Sequence, residues 1–430
     1  MQAIINIADE IAVVSLAGRF PGAADCDALW QAIQDAQELV ATYDPGCGPV
    51  PAGEGQVLVP RGAFLEAPEQ FDRGAFRFTP REASRMDPQQ RQCLVLCQAA
   101  LLGAGYGTGR EAGHCGVFVG TRADTWHDLQ RLEDHSPSDA MLTLGGRSSD
   151  AMATRVAYKL DCTGPAINVA NFCSGSLVAV HLACASLRAG ECDLALAGGV
   201  CVRYPAHVGY LHHEGGILSR SGRVRAFDQR ADGTLFADAA AFVGLRRLAD
   251  ARRDGNPVLA LIKGSAVNND GLEKAGYSAP NVKAQERVIR EAMRRAGVQP
   301  EHIGLLEAHG TGTPVGDAVE LRALSRIFEG LPPRSCALGS VKATLGHADC
   351  ASGIVGLIKA IQAVRRGVLP ATLNCEQPCS ELRDPSSPFD VSGRSRQWQR
   401  AVHERLAGVS SFGIGGTNAH VIVGGAAGVA

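Results

Sequence analysis

Three short runs of the chain hold side chains that can carry out acyl-group chemistry: Cys173, His309 and His347. Cys173 lies in Asn-Phe-Cys-Ser-Gly-Ser, His309 in Glu-Ala-His-Gly-Thr-Gly-Thr, and His347 ends Lys-Ala-Thr-Leu-Gly-His. A cysteine thiolate attacks acyl carbonyls, and imidazoles stabilise charge that develops beside a carbonyl group. These runs predict a nucleophile that takes up an acyl group and two imidazoles that manage a second, carbonyl-stabilised carbanion.

The position of Cys173 singles it out among the 14 cysteines of the chain. It follows a predicted strand, 166–169, and precedes an apolar-periodic helix, 174–189. A thiol at such a junction faces the positive end of a helix dipole and free backbone N–H groups. We expect this position to lower the pKa of the thiol below its usual value of about 8.5 and to provide a site for an oxyanion.

The two histidines each follow a predicted strand and enter a glycine-containing loop. A single histidine in such a position is more often structural, but two in loops of the same half favour catalysis. Glu320 lies about three helical turns beyond His309, and Lys342 lies just before His347. We expect an ion pair of Glu320 with Lys342 to hold the loops in place. The alternative is an exposed salt bridge that contributes little to stability.

Composition narrows the classes of function. In 430 residues, 42 Lys and Arg balance 44 Asp and Glu, and the formal net charge of -2 favours neither nucleic acid nor an anionic membrane. We find no targeting segment and no uninterrupted apolar run of membrane-spanning length, and we expect a cytoplasmic protein. The scattered cysteines, without C-x-x-C pairs, indicate reduced thiols.

Metal and nucleotide sites are not predicted. His207, His212 and His213 lack carboxylates or cysteines at ligand spacing, so we assign them to a polar loop and predict no metal. The glycine-rich pieces match neither a dinucleotide-binding turn nor a phosphate-binding loop.

Strand-like apolar runs alternate with helical patterns, which is typical of an α/β protein. The predicted strands beyond 166–169 are 11–16, 116–120, 194–199, 259–264, 303–308 and 336–341. The predicted helices are 88–103, 174–189, 282–296, 317–328 and 351–366. The polar turn at 252–257 is the candidate boundary between a half that carries the cysteine, 1–255, and a half that carries both histidines, 256–430. Glycine-rich backbone after a strand in each half suggests a duplicated unit.

The motifs together resemble those of the β-ketoacyl synthases of modular polyketide synthases. The resemblance rests on the Cys-Ser-x-Ser run, on Glu-Ala-His-Gly-Thr-Gly-Thr-Pro, on Lys-x-x-x-Gly-His and on the closing Ser-Phe-Gly-Ile-Gly-Gly-Thr-Asn-Ala-His at 411–420. Further matching segments at 11–22, 80–82 and 86–91 extend it over nearly the whole chain. It implies a thiolase fold of five layers, αβαβα, built from two similar halves, and a homodimer. It also implies no bound cofactor, because acyl groups arrive on the phosphopantetheine arm of an acyl carrier protein.

The resemblance assigns roles to individual residues. Cys173 would accept the acyl chain, while His309 and His347 would promote decarboxylation of a malonyl thioester and hold the enolate for a Claisen condensation. The N–H groups of Cys173 and Ile414 would form the oxyanion hole. Lys342 and Glu320 would support the site, and substrate would be contacted by Thr311, Thr313, Phe172 and Phe412.

The chain departs from the family pattern beside the nucleophile. Ala170, Asn171 and Phe172 replace Asp-Thr-Ala, which places a large ring next to Cys173. Thr344 and Leu345 replace Asn-Ile, and the run 236–241 replaces several glycines. We expect these changes to narrow or reshape the pocket.

Chain extension with malonyl-carrier protein is the leading interpretation. The alternative is an intramolecular aldol-type ring closure of the chain bound to Cys173, with lactone formation and release. A non-catalytic chain-length partner protein, acyl transfer without condensation and a degradative thiolase rank lower, because Cys173, His309 and His347 are all present and no cysteine follows Cys379. The Met1 start close to the first strand suggests a free-standing enzyme, with an excised domain as the other option.

Overall fold

The computed structural model describes residues 10–44, 55–122, 145–203 and 209–426. Its main feature is a mixed sheet of 11 strands. From one edge to the other the strands are Phe389–Asp390, Cys336–Gly339, Ile303–Glu307, Leu406–Phe412, Thr417–Gly424, Ala260–Asn269, Ile11–Arg19, Ala239–Arg247, Leu194–Cys201, Cys115–Gly120 and Ala166–Val169.

The sheet consists of two halves with the same topology. Counted along the chain from Ile11–Arg19 or from Ala260–Asn269, both halves place their five main strands in the order first, fifth, fourth, second, third. In both halves the first two strand pairings in this order are antiparallel and the last two are parallel. The halves join where Ile11 pairs with Ile262 in antiparallel register. The expected pair of similar halves is confirmed, while the boundary at 255/256 stays a prediction.

Helices complete five layers. Gly175–Ala189 and Ser352–Arg366 pack on each other between the two sheet halves, in the largest apolar core. Pro88–Gly103 and Ala151–Leu160 cover the outer face of the first half. The outer face of the second half is covered by Val282–Ala296 and Pro314–Ile327. Each layer buries apolar side chains against the next, which confirms the predicted αβαβα arrangement.

Helix ends follow local sequence signals. Pro88–Gly103 and Val282–Ala296 have the predicted bounds. Gly190 and Gly297 close their helices in the left-handed region, with φ of 76° and 65°, a conformation that glycine adopts without a Cβ penalty. The helix expected at 317–328 begins earlier, at Pro314, because proline is well suited to the first helical position.

The remaining elements are short. The other helices are Cys26–Gln34, Pro80–Ser84, Leu248–Arg253, Lys342–Leu345 and Ser380–Arg383. Single 3-10 turns occur at Gly109–Ala112, Phe172–Ser174, Pro300–His302, Asp349–Ala351 and Val402–Glu404. Three two-stranded sheets pair Ala41–Thr42 with Arg61–Gly62, Gln56–Val59 with Tyr210–His213, and Val368–Leu369 with Arg396–Gln397.

One stretch, Phe172–Ala189, is long and apolar enough to cross a membrane by length and composition alone. A helix that is apolar on all sides is equally typical of a protein core. Here the helix Gly175–Ala189 lies in the central layer, and that position accounts for its composition.

Candidate active site

Cys173 lies in the 3-10 turn Phe172–Ser174, which leads directly into the central helix Gly175–Ala189. Its side chain is buried at the base of the site. The backbone is held in place by the Ser411 hydroxyl, which donates to the carbonyl of Cys173 over 2.8 Å. The N–H groups of Ile414 and of Cys173 itself both contact the thiol sulfur. Two N–H groups that converge on the thiol can also donate to a negatively charged oxygen placed beside it.

The expected low pKa of Cys173 is wrong for this structure. Burial is the largest influence and, with the negative charge of Asp349, raises the pKa of the thiol to about 12. Lys342 and the two N–H groups act in the opposite direction but do not compensate. A short helix-terminal effect is outweighed because the sulfur is almost completely removed from water. The thiol is therefore protonated at neutral pH.

This raised pKa predicts how Cys173 reacts with a small alkylating reagent. The thiolate fraction of a thiol far below its pKa grows about tenfold per pH unit. The rate at which iodoacetamide alkylates Cys173 should therefore rise steadily from pH 7 to pH 9 without a plateau. Mass spectrometry of the Cys173 peptide measures this rate. The control is alkylation of the same peptide in urea-unfolded protein. Its rate should begin to level off as the pH reaches the ordinary thiol pKa. A plateau below pH 8 in the folded protein would show that the helix terminus prevails.

The imidazoles of His309 and His347 lie side by side. Their ring centroids are 5.4 Å apart and the rings are nearly perpendicular, at 87°. Nδ1 of His309 accepts from the N–H of Phe412 at 3.4 Å, and Nδ1 of His347 accepts from the N–H of Asp349 at 3.0 Å. The Ser352 hydroxyl is 2.7 Å from the same His347 nitrogen and therefore donates to it. In a neutral imidazole the other nitrogen carries the proton, so both rings offer an Nε2–H donor.

Both imidazoles are neutral at pH 7. Burial is the main cause that lowers the pKa of His309 and of His347 well below the ordinary value, and the positive charge of Lys342 lowers both further. Neutral rings with fixed tautomers are pre-oriented donors toward an oxygen that develops negative charge. The pair can stabilise an enolate without first losing or gaining a proton.

The loop after His309 is held by carboxylates of the following helix, Pro314–Ile327. The two oxygens of Glu320 accept from the N–H groups of His309 and Gly310, each at 2.8 Å. Asp317 accepts from Gly312 at 3.1 Å. These hydrogen bonds attach the loop to the helix Pro314–Ile327. The position of the His309 imidazole therefore depends on that helix.

The expected ion pair of Glu320 with Lys342 is not seen in the described part of the chain. Both Glu320 oxygens are used by backbone N–H groups, and burial raises the pKa of this carboxyl to about 7, so it is not a full anion at neutral pH. Burial likewise lowers the pKa of Lys342. The ion pair beside the site instead joins Glu307 to Lys359 at 2.7 Å. Glu320 supports the site mainly through its bonds to the backbone, while the charge of Lys342 acts on it without a direct ion pair.

Replacing Glu320 with glutamine should loosen the His309 loop. The amide nitrogen cannot accept, so one of the two N–H groups loses its partner and faces another donor. We expect a loss of about 1–3 kcal/mol in unfolding free energy, measured by urea titration. We also expect condensation to fall by about tenfold or more through misplacement of the imidazole. The exposed Glu329 is the control, and equal effects of Glu329→Gln would contradict the role of Glu320.

Two expected substrate contacts lie on the same loop as His309. The hydroxyls of Thr311 and Thr313 are 2.9 Å apart, at the start of the helix Pro314–Ile327. Phe412 places its ring 5.6 Å from that of His309, centroid to centroid. The paired hydroxyls could bind a polar part of a substrate, and the Phe412 ring provides an apolar surface next to His309.

Phe172 is the unusual neighbour of the nucleophile. It is 51% exposed and has a positive φ of 45°, which is rare for a bulky residue. Such a conformation costs on the order of 1–3 kcal/mol and is typical of functional sites. The backbone strain turns the chain so that Cys173 enters the site while the phenyl ring stays accessible.

Several residues of the site were not singled out as site residues by sequence reasoning. The Phe236 ring packs against His347 at 5.5 Å, and the guanidinium of Arg203 lies 4.9 Å from the same phenyl ring. Asp349 and Ser352 orient His347. The short spacing of Asp349 and Ser352 from His347 was the available signal for those two residues. Phe236 begins the run 236–241 that was expected to reshape the pocket, whereas Arg203 reaches the site only through the fold.

The loop expected around His212 and His213 is wrong, because both residues lie on the strand Tyr210–His213, which pairs with Gln56–Val59. A ring nitrogen of His212 contacts the carbonyl of Leu218 at 2.9 Å, and His213 contacts the side chain of Gln56 at 3.3 Å. His207 lies outside the described residues. Within residues 10–44, 55–122, 145–203 and 209–426, no group of three or more His, Cys, Asp or Glu side chains is arranged to hold a metal ion.

Comparison with known families matches two consecutive models. The model of the β-ketoacyl synthase N-terminal domain matches residues 8–251, and that of the C-terminal domain matches residues 259–376. A phenolphthiocerol/phthiocerol polyketide synthase of Mycobacterium tuberculosis is 42% identical over 96% of the chain. Polyketide synthase GfsA of Streptomyces halstedii is 40% identical over 96% of it. The chain spans only 29% and 6% of the lengths of these relatives.

Solved structures show the same similarity in three dimensions. Ketosynthase twelve of the bacillaene polyketide synthase from Bacillus amyloliquefaciens has a TM-score of 0.92 and 33% identity, over 98% of this chain and 74% of that one. The oxazolomycin ketosynthase domain OzmH KS7 of Streptomyces albus has a TM-score of 0.85 and 36% identity, over 97% and 75%.

Proposed function

The chain belongs to the β-ketoacyl synthase family of condensing acyltransferases, and on that premise we propose that Cys173 takes an acyl chain from an acyl carrier protein and extends it by decarboxylative condensation. The observation that carries the proposal is the pair of Nε2–H donors of His309 and His347, fixed by their Nδ1 contacts. Two such donors suit the oxygen of an enolate. The converging N–H groups of Cys173 and Ile414 suit a tetrahedral oxyanion.

The loading step exchanges one thioester for another. The Cys173 sulfur attacks the acyl carbonyl, whose oxygen is held by the N–H groups of Cys173 and Ile414. The bond to the phosphopantetheine sulfur breaks, and the proton of the Cys173 thiol goes to that departing thiolate. The step releases no net proton to solvent, because the thiol proton ends on the departing sulfur. The raised pKa of Cys173 is therefore compatible with the step.

The condensation step needs the two imidazoles. The bond from the malonyl carboxylate to its methylene breaks, carbon dioxide leaves, and the electron pair forms an enolate whose oxygen accepts from the Nε2–H groups of His309 and His347. The enolate carbon attacks the thioester carbonyl on Cys173. The tetrahedral intermediate expels the Cys173 thiolate, which takes a proton from water. The product is a 3-oxoacyl chain on the carrier arm.

Partners follow from the same chemistry. Thr311 and Thr313 offer paired hydroxyls for the amide groups of a phosphopantetheine arm, so we propose an acyl carrier protein as partner and no bound cofactor. A homodimer is also proposed. Its support is the edge strand Ala166–Val169, where Ile167 is exposed at the end of the sheet. Sedimentation of the purified chain tests this, with a monomer as the contrary result.

A second candidate is favoured by Phe172. A half-exposed phenyl ring next to Cys173 adds apolar surface beside the thiol, and such a surface suits a chain that folds back on itself. In that reaction a carbon next to a carbonyl of the bound chain loses a proton to water, and the resulting enolate attacks another carbonyl of the same chain. The alkoxide then attacks the thioester carbon, a lactone is released, and the departing Cys173 thiolate takes a proton back from the solvent.

Mass spectrometry of the products distinguishes the two reactions. Acyl-carrier protein is incubated with the enzyme, with and without malonyl-carrier protein. Extension should give a chain longer by two carbons only when the malonyl partner is present. A cyclic product released from acyl-carrier protein alone would overturn the extension proposal and support ring closure. Cys173→Ala is the control and should give neither product.

A further inference from the structure

Three pairs of thiols are in contact within the described residues, and the proposed reaction uses none of them. They are Cys93 with Cys97, Cys115 with Cys162, and Cys201 with Cys350, each pair joined by a side-chain hydrogen bond. All six sulfurs are free thiols. The first two pairs lie in the apolar outer layer of the first half. The third lies behind the active site.

Cationic side chains set the Cys201–Cys350 pair apart. The Nη1 atom of Arg122 is 3.6 Å from the sulfur of Cys201, and the charge of Arg203 also acts on it. Asp349 lies 3.6 Å from Arg122 and 3.7 Å from Arg203. The hydrogen bond from Cys350, together with the two guanidinium groups, lowers the pKa of Cys201. The pKa of Cys350, like those of Cys97 and Cys115, is raised, so what distinguishes this pair is the two guanidinium groups beside Cys201.

Partly exposed polar side chains lie between this pair and the surface. Both sulfurs are fully buried, so a bulky disulfide reagent cannot reach them. The side chains of Arg122, Asp349 and Arg203 are 22%, 20% and 14% exposed and lead from the surface to Cys201. Hydrogen peroxide is close to water in size and needs far less space to reach a buried sulfur than a bulky disulfide reagent does. The class of oxidant that the site admits is therefore a small peroxide.

We propose that Cys201 and Cys350 form a reversible disulfide under peroxide and that this bond switches off condensation. The Cys201 thiolate attacks one peroxide oxygen, the O–O bond breaks, and hydroxide leaves, which gives a sulfenic acid on Cys201. The Cys350 thiol then attacks the Cys201 sulfur and water leaves. Two thiols are oxidised by two electrons in total, and the peroxide is reduced to water. A dithiol or phosphine reverses the bond.

The link to activity is the position of Cys350. It lies in the turn Asp349–Ala351, between the N–H of Asp349 and the hydroxyl of Ser352 that together orient His347. Its sulfur is 3.1 Å from the carbonyl of Val200, on the neighbouring strand. A disulfide brings the two sulfurs to about 2 Å and imposes a specific torsion. The turn must move, and the Nδ1 contacts of His347 change with it.

Peptide mapping tests the disulfide without reference to the proposed function. The Cys173→Ala variant, which lacks the reactive thiol of the site, is treated with hydrogen peroxide, alkylated, digested and analysed by mass spectrometry. We expect a linked peptide pair that contains Cys201 and Cys350, two hydrogens lighter than the separate peptides and lost on reduction. The contacting pair Cys115–Cys162 is the internal control and should stay reduced. No linkage, or equal linkage of both pairs, would overturn the proposal.

A single-turnover assay tests the effect on condensation. Cys173 is first acylated, which protects it, then the protein is exposed to peroxide and given malonyl-carrier protein. Condensation should fall by at least about tenfold and return after treatment with a phosphine, whereas Cys201→Ala, which leaves the turn beside His347 unchanged, should keep its activity under peroxide. Equal losses in both proteins, or full activity of the disulfide form, would refute the switch. If unoxidised enzyme fails to condense, the proposed function fails while the mapping result stands.

Discussion

Replacing Cys173 with alanine is expected to lower condensation by on the order of 10⁴-fold or more, because the covalent acyl intermediate can no longer form. The N–H groups of Cys173 and Ile414 and both imidazoles remain in place. The variant should therefore still bind carrier-borne substrates. Transfer of a radiolabelled acyl group from carrier protein to the enzyme should be absent, and product formation should fall to background.

The central helix offers a matched control for this prediction. Cys184 is fully buried on the same helix, Gly175–Ala189, but lies outside the site. Cys184→Ala should cost about 1 kcal/mol or slightly more in stability and leave acyl loading nearly unchanged. Loading retained by Cys173→Ala would exclude every covalent mechanism through Cys173. Loss of loading by folded Cys184→Ala would show that loading responds to packing of the helix and not to the nucleophile alone.

Replacing His347 with alanine is expected to lower condensation by about 10²–10⁴-fold while acyl loading of Cys173 stays within a few-fold of wild type. Loading uses the N–H groups of Cys173 and Ile414, whereas the enolate oxygen needs the Nε2–H donor of His347. Release of carbon dioxide from malonyl-carrier protein should fall in parallel with condensation. His309→Ala should behave in the same way.

The exposed His213 is the control for the histidine variants. His213→Ala should change neither loading nor condensation by more than about twofold. Equal losses of loading and condensation in His347→Ala would contradict the division of labour, because the imidazole would then act on the nucleophile. Unchanged carbon dioxide release would also contradict it.

Local sequence patterns were sufficient for many elements. The helices Pro88–Gly103 and Val282–Ala296 have their predicted bounds, because a 3.6-residue apolar period and terminal signals depend on neighbouring residues only. The strand Ala166–Val169 and the helix after Cys173 were also predicted from the pattern of neighbouring residues. Predicted strands such as 11–16 were too short, since pairing with neighbouring strands extends them to Ile11–Arg19.

Electrostatics beside the nucleophile were predicted less well. The junction of strand and helix suggested a low pKa for Cys173, but burial raises it to about 12. The position of Glu320 suggested an ion pair with Lys342, but its oxygens accept from backbone N–H groups. In both cases the decisive influence is burial by residues that are distant in the sequence, and local spacing cannot predict such burial.

The sequence by itself determined the family motifs, the three candidate catalytic residues and the alternation of strands and helices, because each is encoded in short windows. Only the tertiary structure decided the tautomers of His309 and His347, which depend on Phe412, Asp349 and Ser352. It also brought Cys201 to Cys350 beside Arg122. These contacts arise when two duplicated halves close around a shared central layer, and the energy of that packing is non-local.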